Sequence, residues 1–346
     1  MTENNLTPLI GMTLEDLQGV AARCGMPRFA AAQMARWLYT ARVDDIDLMT
    51  DLSKAARARL KELGYTIGRE APLTEVVSAD GTAKYLFRGA GGRDIESVFI
   101  PDRDRATLCV SSQAGCKMGC TFCMTGRQGF HGNLTTAQII NQVLSVPLSA
   151  DLTNIVFMGM GEPLDNMKAL MPALEILTAK WGFAWSPKRI TVSSIGKMDT
   201  LRELLDKTKV HIAISIHSPY PSERADLMPV ERAYPIKGII ELLKAYDFSH
   251  QRRLSFEYTM FHGVNDDRRH CLELAHRLKG LDCRVNLIRF HAIPGSDLRP
   301  SSQERMEQFR DMLNAQGITA TIRASRGEDV QAACGMLAGK EKQKSR

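Results

Sequence analysis

Hydrophobic residues in about the first 60 positions recur every three to four residues, which predicts amphipathic helices. Thr13 followed by Glu15 and Asp16 favours a helix start, and Gly64 favours a helix stop. This pattern predicts a small all-helical accessory domain over residues 1–66. Its basic side chains are typical of a solvated helical face, or of a small RNA-binding appendage; they are Arg23, Arg28, Arg36, Arg42 and Lys54.

From about residue 70 the pattern changes to short runs rich in β-branched and aromatic residues. The turn signals AGG and PDRD separate these runs, which predicts a β-rich lead-in over residues 67–105. The predicted strands of this part of the chain lie at 84–89, 96–101 and 106–112.

After residue 130, strand-like runs alternate with helical ones. The strands are apolar enough for burial on both faces, which is typical of parallel α/β units. About six such units favour an open or partial α/β barrel as readily as a doubly wound sheet, and both folds place active sites at the carboxyl ends of strands. The predicted strands are 154–160, 189–194, 210–217, 253–261, 284–292 and 319–324, and the predicted helices are 135–146, 167–180, 198–206, 236–247, 266–279 and 302–316.

The composition is typical of a globular protein, with 346 residues, 44% hydrophobic residues and a formal net charge of +6. No run of about 18 apolar residues occurs, so we expect no membrane span. The first residues lack the basic region and following apolar stretch of a secretory signal, so we expect a cytoplasmic location. In that reducing compartment, the eight cysteines predict metal ligands or catalysts in preference to disulfides.

Three cysteines form a C-x3-C-x2-C motif directly after a predicted strand: Cys116, Cys120 and Cys123. A structural zinc site needs four ligands, usually as two pairs, and no second pair lies nearby. The three thiols could instead be buried apolar groups. Three thiolates in one loop fit a 4Fe–4S cluster better, because they hold three irons and leave the fourth open to chelate a small molecule.

The motif, with Phe122 before its last cysteine, resembles the radical S-adenosylmethionine (SAM) superfamily. Further stretches narrow the resemblance to the radical-SAM adenine methyltransferases of RNA, the RlmN/Cfr type. This resemblance implies a partial α/β barrel over residues 106–330, the helical accessory domain at 1–66, and a C-terminal catalytic loop and basic tail at 331–346. The stretches are GMTLEDL (11–17), RWLY (36–39), DLMTDLSKAAR (47–57), RATLCVSSQAGC (105–116), GMGEP (159–163), SIH (215–217) and RGEDVQAACGMLAG (326–339).

The resemblance also implies a reaction. An electrophilic ring carbon of adenine cannot attack the methyl group of SAM, so the methyl must first rest on a thiolate. In the family this is the cysteine that matches Cys334, and a second SAM, cleaved at the cluster, yields the radical that activates this methyl. Cys109 then resolves the enzyme–RNA adduct by forming a disulfide with Cys334, and Glu96 matches the proton acceptor. Two SAM molecules are used per turnover, and we expect Cys24, Cys271 and Cys283 to be packing residues.

The SAM contacts implied by the resemblance lie at strand ends. Glu162 in the GMGEP loop can accept from the ammonium of SAM. His291 stands where the family usually has an asparagine, and a histidine cannot donate and accept as an amide does unless its tautomer suits. The complete implied set is Gly161, Glu162, Ser193, Ser215, Ile216, His217 and His291.

The resemblance therefore predicts methylation of carbon 2 of a specific adenine in 23S ribosomal RNA, with transfer RNA as an additional substrate. The alternatives are methylation of carbon 8 and a non-catalytic RNA-binding protein with an iron–sulfur or zinc site. We expect an external electron donor such as flavodoxin, a monomer, and no membrane partner. The candidate RNA contacts are Arg127, His131, Lys188, Arg252, Arg253, Arg268, Arg269 and Arg326.

Overall fold

The computed structural model describes residues 6–250 and 252–338, so the basic tail expected at the C-terminus lies outside the described residues. The helices are α1 Leu14–Arg23, α2 Ala30–Ala35, α3 Lys54–Glu62, α4 Met124–Arg127, α5 Thr136–Ser145, α6 Met167–Thr178, α7 Met198–Lys207, α8 Pro221–Leu227, α9 Ile236–Lys244, α10 Arg268–Leu278 and α11 Gln303–Ala315. The strands are β1 Thr7–Pro8, β2 Tyr65–Thr66, β3 Thr74–Val77, β4 Ala83–Arg88, β5 Asp94–Asp102, β6 Arg105–Cys109, β7 Gln113–Gly115, β8 Phe130–Asn133, β9 Asn154–Phe157, β10 Ile190–Ser194, β11 His211–Ser215, β12 Leu254–Met260, β13 Cys283–Arg289 and β14 Thr319–Ile322.

The first of two compact units is helical apart from the short parallel pair β1–β2. Its helix α1 begins at the predicted place, because the hydroxyl of Thr13 accepts from the Asp16 N–H and the Asp16 carboxylate accepts from the Thr13 N–H. The unit continues past residue 66 and includes α5 and α6 from the segment predicted as barrel. The four-part division drawn from the sequence stays a prediction.

The second unit is built on a ten-stranded sheet with the order β14-β13-β12-β11-β10-β9-β6-β5-β4-β3. In this sheet, β6 and the strands from β9 to β14 pair in parallel, while β3, β4, β5 and β6 pair antiparallel. All residues of β12 are buried, as expected for a strand covered on both faces. The strand order has two ends in the described residues, so this sheet is open.

The strands predicted from residue 84 onward are all present, with boundaries that differ by a few residues. The sequence pattern missed β3, whose residues are all exposed, and the β7–β8 hairpin, which is too short to show alternation. It also missed α8, which begins at a proline. Over residues 6–250 and 252–338, no helix has both the length and the apolar character needed to cross a membrane.

Candidate active site

The carboxyl ends of the parallel strands surround a cavity that opens to solvent. Its lining comes from the ends of β9 to β13 and from the loops after β7 and β14. This is the place where parallel α/β sheets bind their ligands. The cavity brings together most of the side chains that the sequence singled out.

The three motif cysteines Cys116, Cys120 and Cys123 all line this cavity, on the loop between β7 and α4. Gly115 turns the chain into this loop with a φ of +73°, and a Cβ at that position would collide with the carbonyl oxygen of Gly129. The Cys116 N–H donates to the same oxygen at 2.9 Å. The β7–β8 hairpin therefore fixes where the first cysteine enters the cavity.

The chemistry of this thiol set fits an iron–sulfur cluster. Burial raises the pKa of Cys116 to about 12, and it raises the pKa values of Cys120 and Cys123 as well. Such thiols ionise only when a cationic centre binds them. Among the described residues, no three His, Cys, Asp or Glu side chains are close enough to surround a single metal ion. Three thiols that spread over one cavity suit a cluster with one open iron better than a four-ligand zinc site.

The cysteine loop rests on an apolar platform of buried residues. The ring of Phe122 meets the His217 ring edge-on at 4.7 Å and lies 5.3 Å from the Phe261 ring. The Thr121 N–H donates to the Leu227 carbonyl oxygen at 3.0 Å. The aromatic residue before the last cysteine thus packs the loop against the residues that follow β11 and β12. The platform residues are Ile195, Leu227, Met228, Phe261, Phe290 and Ile293.

Glu162 is buried at the bottom of the cavity and is held by backbone groups. Its two carboxylate oxygens accept from the N–H groups of Leu164 and Ile195, both at 3.0 Å. Burial raises the pKa of Glu162 to about 7, although these hydrogen bonds oppose the shift. The carboxylate is therefore oriented before any ligand arrives, and a bound ammonium group would favour its ionised form.

His217 is held in one tautomer. Its Nδ1 accepts from the Thr259 N–H at 2.9 Å, which leaves the proton on Nε2. Burial and the charge of Arg224 lower the pKa of His217 to about 3. The residue also adopts a φ of +53°, an uncommon conformation for a side chain other than glycine. A neutral imidazole with a donor on Nε2 thus lines the cavity, together with Gly161, Ser193 and Ser215.

Two of the implied SAM contacts do not line the cavity. Ile216 is fully buried, and its N–H donates to the Glu257 carbonyl oxygen at 3.1 Å. Both ring nitrogens of His291 contact the segment that precedes Cys334. Nε2 lies 3.1 Å from Ser325 Oγ, and Nδ1 lies 3.2 Å from Glu328 Oε1. The structure therefore places His291 against the C-terminal segment and not among the cavity-lining groups.

The two remaining thiols of interest meet at this site. Cys334 is exposed and lines the cavity, and Cys109 is buried at the end of β6. Burial raises the pKa of Cys109 to about 12, and the nearby Cys334 adds to the rise. The hydroxyl of Thr125, beside the cluster loop, donates to the Leu337 carbonyl oxygen at 2.7 Å. All eight cysteines are free thiols in this structure.

Glu96 lies buried on β5 near the same segment. Its Oε2 accepts from the Ala338 N–H at 2.8 Å, and its Oε1 lies 3.2 Å from Lys84 Nζ. The carboxylate therefore contacts the chain four residues after Cys334. It does not line the cavity itself.

Sequence reasoning missed three charged residues around the cavity. Glu257 and Arg323 line it, and their side chains pair at 3.4 Å. Arg224 is fully buried and donates to the carbonyl oxygens of Ile195 and Ser215. A glutamate inside the apolar run RLSFEYTMF was a usable signal for Glu257, whereas Arg224 lies in an ordinary polar stretch.

Two candidate RNA contacts are already used inside the protein. Arg127 donates to the carbonyl oxygens of Thr121, Pro294 and Gly295, and so connects the cluster loop to the loop after β13. Arg252 is 5% exposed and donates to the Leu205 carbonyl oxygen at 2.7 Å. The choice of Arg252 as a candidate RNA contact is wrong, because its side chain is buried and bound to the backbone at Leu205.

Comparison with known proteins gives matches over almost the whole chain. The family model described as "Radical SAM superfamily" matches residues 110–275, and the one described as "Ribosomal RNA large subunit methyltransferase N-terminal domain" matches residues 7–65. A solved radical SAM methyltransferase from Sphaerobacter thermophilus is 40% identical, with a TM-score of 0.89 over 96% of this chain and 99% of that one. The expected radical-SAM α/β fold with an N-terminal accessory domain is confirmed.

Two curated relatives carry the family name. A "Probable dual-specificity RNA methyltransferase RlmN" from Parabacteroides distasonis is 57% identical over 95% of this chain and 96% of its own. A "Dual-specificity RNA methyltransferase RlmN" from Pseudomonas fluorescens is 39% identical over 98% of this chain and 92% of its own. The expectation of an enzyme that uses a 4Fe–4S cluster and SAM is confirmed by this kinship. The chain belongs to the RlmN family of radical S-adenosylmethionine RNA methyltransferases.

Proposed function

We propose that this protein methylates carbon 2 of an adenine in 23S ribosomal RNA, and of an adenine in transfer RNA, through a methyl group carried on Cys334. The observation that carries the proposal is the position of Cys334. This thiol, distant in sequence from the cluster motif, lines the same cavity as Cys116 and Glu162, and a second thiol, Cys109, is beside it. The printed names of the relatives, dual-specificity RNA methyltransferases, support two kinds of RNA substrate.

We infer that Cys116, Cys120 and Cys123 hold the cluster. Gly161, Glu162, Ser193, Ser215 and His217 then hold SAM, with the Glu162 carboxylate accepting from its ammonium group and His217 Nε2 donating. When bound, the cluster supplies the electron that cleaves one SAM and so provides the radical that activates the methyl group on Cys334. Ile216 shapes the strand end behind this site, and His291 holds the segment that carries Cys334.

The protein's own groups carry the rest of the chemistry. Cys334 accepts a methyl group from one SAM by displacement, for which its exposed position on the cavity wall is suited. The activated carbon on Cys334 then bonds to the adenine ring, which must be unstacked to enter the cavity. Glu96, next to the Cys334 segment, accepts the ring proton as the adduct gives back the one electron that the cluster would supply, and Cys109 attacks the Cys334 sulfur to release the RNA.

This cycle leaves Cys109 and Cys334 oxidised, so the pair must be reduced after each turnover. That requirement favours the cytoplasm, where thiol reductants are present. We infer that a low-potential donor such as flavodoxin delivers the electron, because no described residue can supply it. The monomeric state stays a prediction.

Peptide mass mapping of the protein as purified from cells tests the proposal. We expect one additional methyl group on Cys334, no iron in a Cys116→Ala variant, and an RNA-linked adduct that accumulates in a Cys109→Ala variant. Nucleoside analysis of RNA from cells with and without the protein then identifies the methylated carbon. An unmodified Cys334, together with no adduct in Cys109→Ala, would refute the mechanism, and a methyl group on carbon 8 would refute the position.

A further inference from the structure

Cys109 has a chemical difficulty in its proposed role. A thiolate, not a thiol, attacks a sulfur, and Cys109 is buried with its pKa raised to about 12. A buried thiol of this kind is ordinarily inert. Two groups oppose the rise in this pKa, namely the Met158 backbone N–H, which donates to the Cys109 sulfur, and the charge of Arg323.

Arg323 is well placed to act on both thiols. It follows β14 and lines the cavity with Cys334, and its backbone N–H donates to the Leu287 carbonyl oxygen at 2.9 Å. Its side chain is one third exposed, at 33%, and that part faces the cavity. The guanidinium interacts electrostatically with both Cys109 and Cys334.

The guanidinium is held from one side only. Its Nη1 lies 3.2 Å from the Met158 sulfur and 3.4 Å from Glu257 Oε2. Glu257 is fixed in turn, because its Oε1 accepts from Asn286 Nδ2 at 2.7 Å and from Ser255 Oγ at 3.2 Å. Among residues 6–250 and 252–338, Nε and Nη2 of Arg323 have no hydrogen-bond partner, so these donors remain available to the cavity.

Glu257 neutralises part of this charge but does not touch the thiols. The titratable and charged groups that act on Cys109 are Cys334 and Arg323. Arg323 lines the cavity with Cys334 and contacts Met158, whose backbone N–H donates to the Cys109 sulfur. A fixed cation beside two thiols favours negative charge on sulfur, and its effect is larger in a cavity with apolar walls than in water.

We propose that Arg323 is a positioning residue for the thiol chemistry, whose charge increases the fraction of Cys109 present as the thiolate that attacks the Cys334 sulfur. This inference rests on the proposed function. In the step, the Cys109 sulfur gives an electron pair to the Cys334 sulfur, and the bond from that sulfur to the methylene carbon breaks. The bonding pair stays on carbon, which takes a proton and becomes the methyl group. The two sulfurs are oxidised to a disulfide and the carbon is reduced, so no external oxidant is needed.

The size of the effect follows from two opposing trends. Each unit by which the pKa of Cys109 rises lowers its thiolate fraction about tenfold, but the stronger base attacks faster, which recovers about half of the loss on a logarithmic scale. Removing the charge of Arg323 should therefore slow resolution by about three- to tenfold at neutral pH.

The test uses the full-length holoenzyme with Arg323→Met, Arg323→Lys and a matched control, Arg310→Met. Arg310 has a similar exposure of 35% and pairs with Asp311 on the surface. Single-turnover reactions, quenched with acid and mapped by mass spectrometry, give the lifetime of the RNA-linked adduct. We expect a longer lifetime in Arg323→Met that shortens as pH rises, near-normal lifetimes in Arg323→Lys and Arg310→Met, and an unchanged iron content in all three.

A second measurement needs neither RNA nor radical chemistry. The measurement uses protein in which mass mapping finds no methyl group on Cys334. Oxidised glutathione forms a mixed disulfide on this exposed thiol, and Cys109 then displaces the glutathione thiolate by attacking the same sulfur. This displacement should slow by the same factor in Arg323→Met, and the mixed disulfide should persist in Cys109→Ala. Equal displacement rates in Arg323→Met and wild type, or no recovery by Arg323→Lys, would overturn the inference. An absence of any adduct in Cys109→Ala would instead refute the proposed function.

Discussion

Arg224 and Glu231 form a buried ion pair beneath the strand ends that line the cavity. The Arg224 side chain is fully buried, and Glu231 is 5% exposed. The guanidinium also donates to the carbonyl oxygens of Ile195, Ser215 and Ile216 at 3.0 to 3.3 Å. We predict that Arg224→Met destabilises the second unit severely, because it leaves a buried carboxylate and three buried carbonyl groups without their donor.

The magnitude can be worked from these contacts. Three lost hydrogen bonds at about 1 kcal/mol each give about 3 kcal/mol. Breaking a buried ion pair by removing one partner costs about 3–5 kcal/mol. This figure overlaps with the cost of the lost hydrogen bonds, so the two are not added. We therefore expect Arg224→Met to lower the free energy of unfolding by about 3–5 kcal/mol. Arg232→Met, which changes the exposed arginine next to Glu231, should cost about 0.5 kcal/mol or less.

Urea unfolding of the cluster-free protein, followed by far-UV circular dichroism, measures the effect. A double variant, Arg224→Met with Glu231→Gln, should recover about 1–2 kcal/mol, because the neutral amide no longer needs a cation. The Glu231 carboxylate accepts a hydrogen bond from the Ile236 N–H at 3.0 Å, at the start of α9. The side-chain carbonyl oxygen of a glutamine can still accept this bond. The reasoning is refuted if Arg224→Met costs less than about 1 kcal/mol, or if the double variant is no more stable than the single one.

Three other changes test the SAM site and the Cys334 segment. Gly161→Ala should weaken SAM binding at least about tenfold and leave the iron content normal. The φ of Gly161 is +99°, and a Cβ there would lie 2.5 Å from the Gln113 Cβ. An unchanged SAM affinity in calorimetry would contradict this. Because the pKa of Glu162 is about 7, its carboxylate protonates as pH falls from 8 to 6, so SAM affinity should fall about tenfold over this range. Glu162→Gln should bind weakly without that dependence, and parallel pH profiles would contradict the assignment. Thr125→Val should slow methylation of Cys334 severalfold, as followed by mass mapping, and should make the Cys334 segment more sensitive to protease. The control is Thr135→Val, on the surface at the start of α5.

The parallel strands and the cysteine motif could be predicted from the sequence because each has a local signature. A strand buried on both faces is a run of apolar residues, and three thiols within eight positions have few other uses. Arg224 and Arg323 have no such signature. Each gains its meaning from contacts with residues far away in sequence, such as Arg323 with Glu257 and Met158. Such contacts exist only once the chain is folded.

His291 shows a different limit of sequence reasoning. Its alignment with a SAM-binding position implied a cofactor contact, yet the ring is occupied by Ser325 and Glu328. An imidazole has two ring nitrogens that can bond in opposite directions, so it can bridge two groups on one loop. His291 is therefore bound to the segment that precedes Cys334, which the residue type alone could not reveal.

The segment that carries Cys334 is neither helix nor strand, so its order depends on bonds to other elements. Upstream, the Asp329 carboxylate accepts from Ser78 Oγ at 2.5 Å, and downstream Thr125 and Glu96 hold the two residues after the next turn. Ordering a free loop costs about 1–2 kcal/mol per residue for the backbone alone. Because these hydrogen bonds order the segment during folding, the Cys334 thiol can be exposed to a methyl donor and still lie in a fixed position for its later reaction with Cys109. The two-step use of Cys334 that we propose requires that combination, and the hydrogen bonds on both sides of Cys334 are consistent with it.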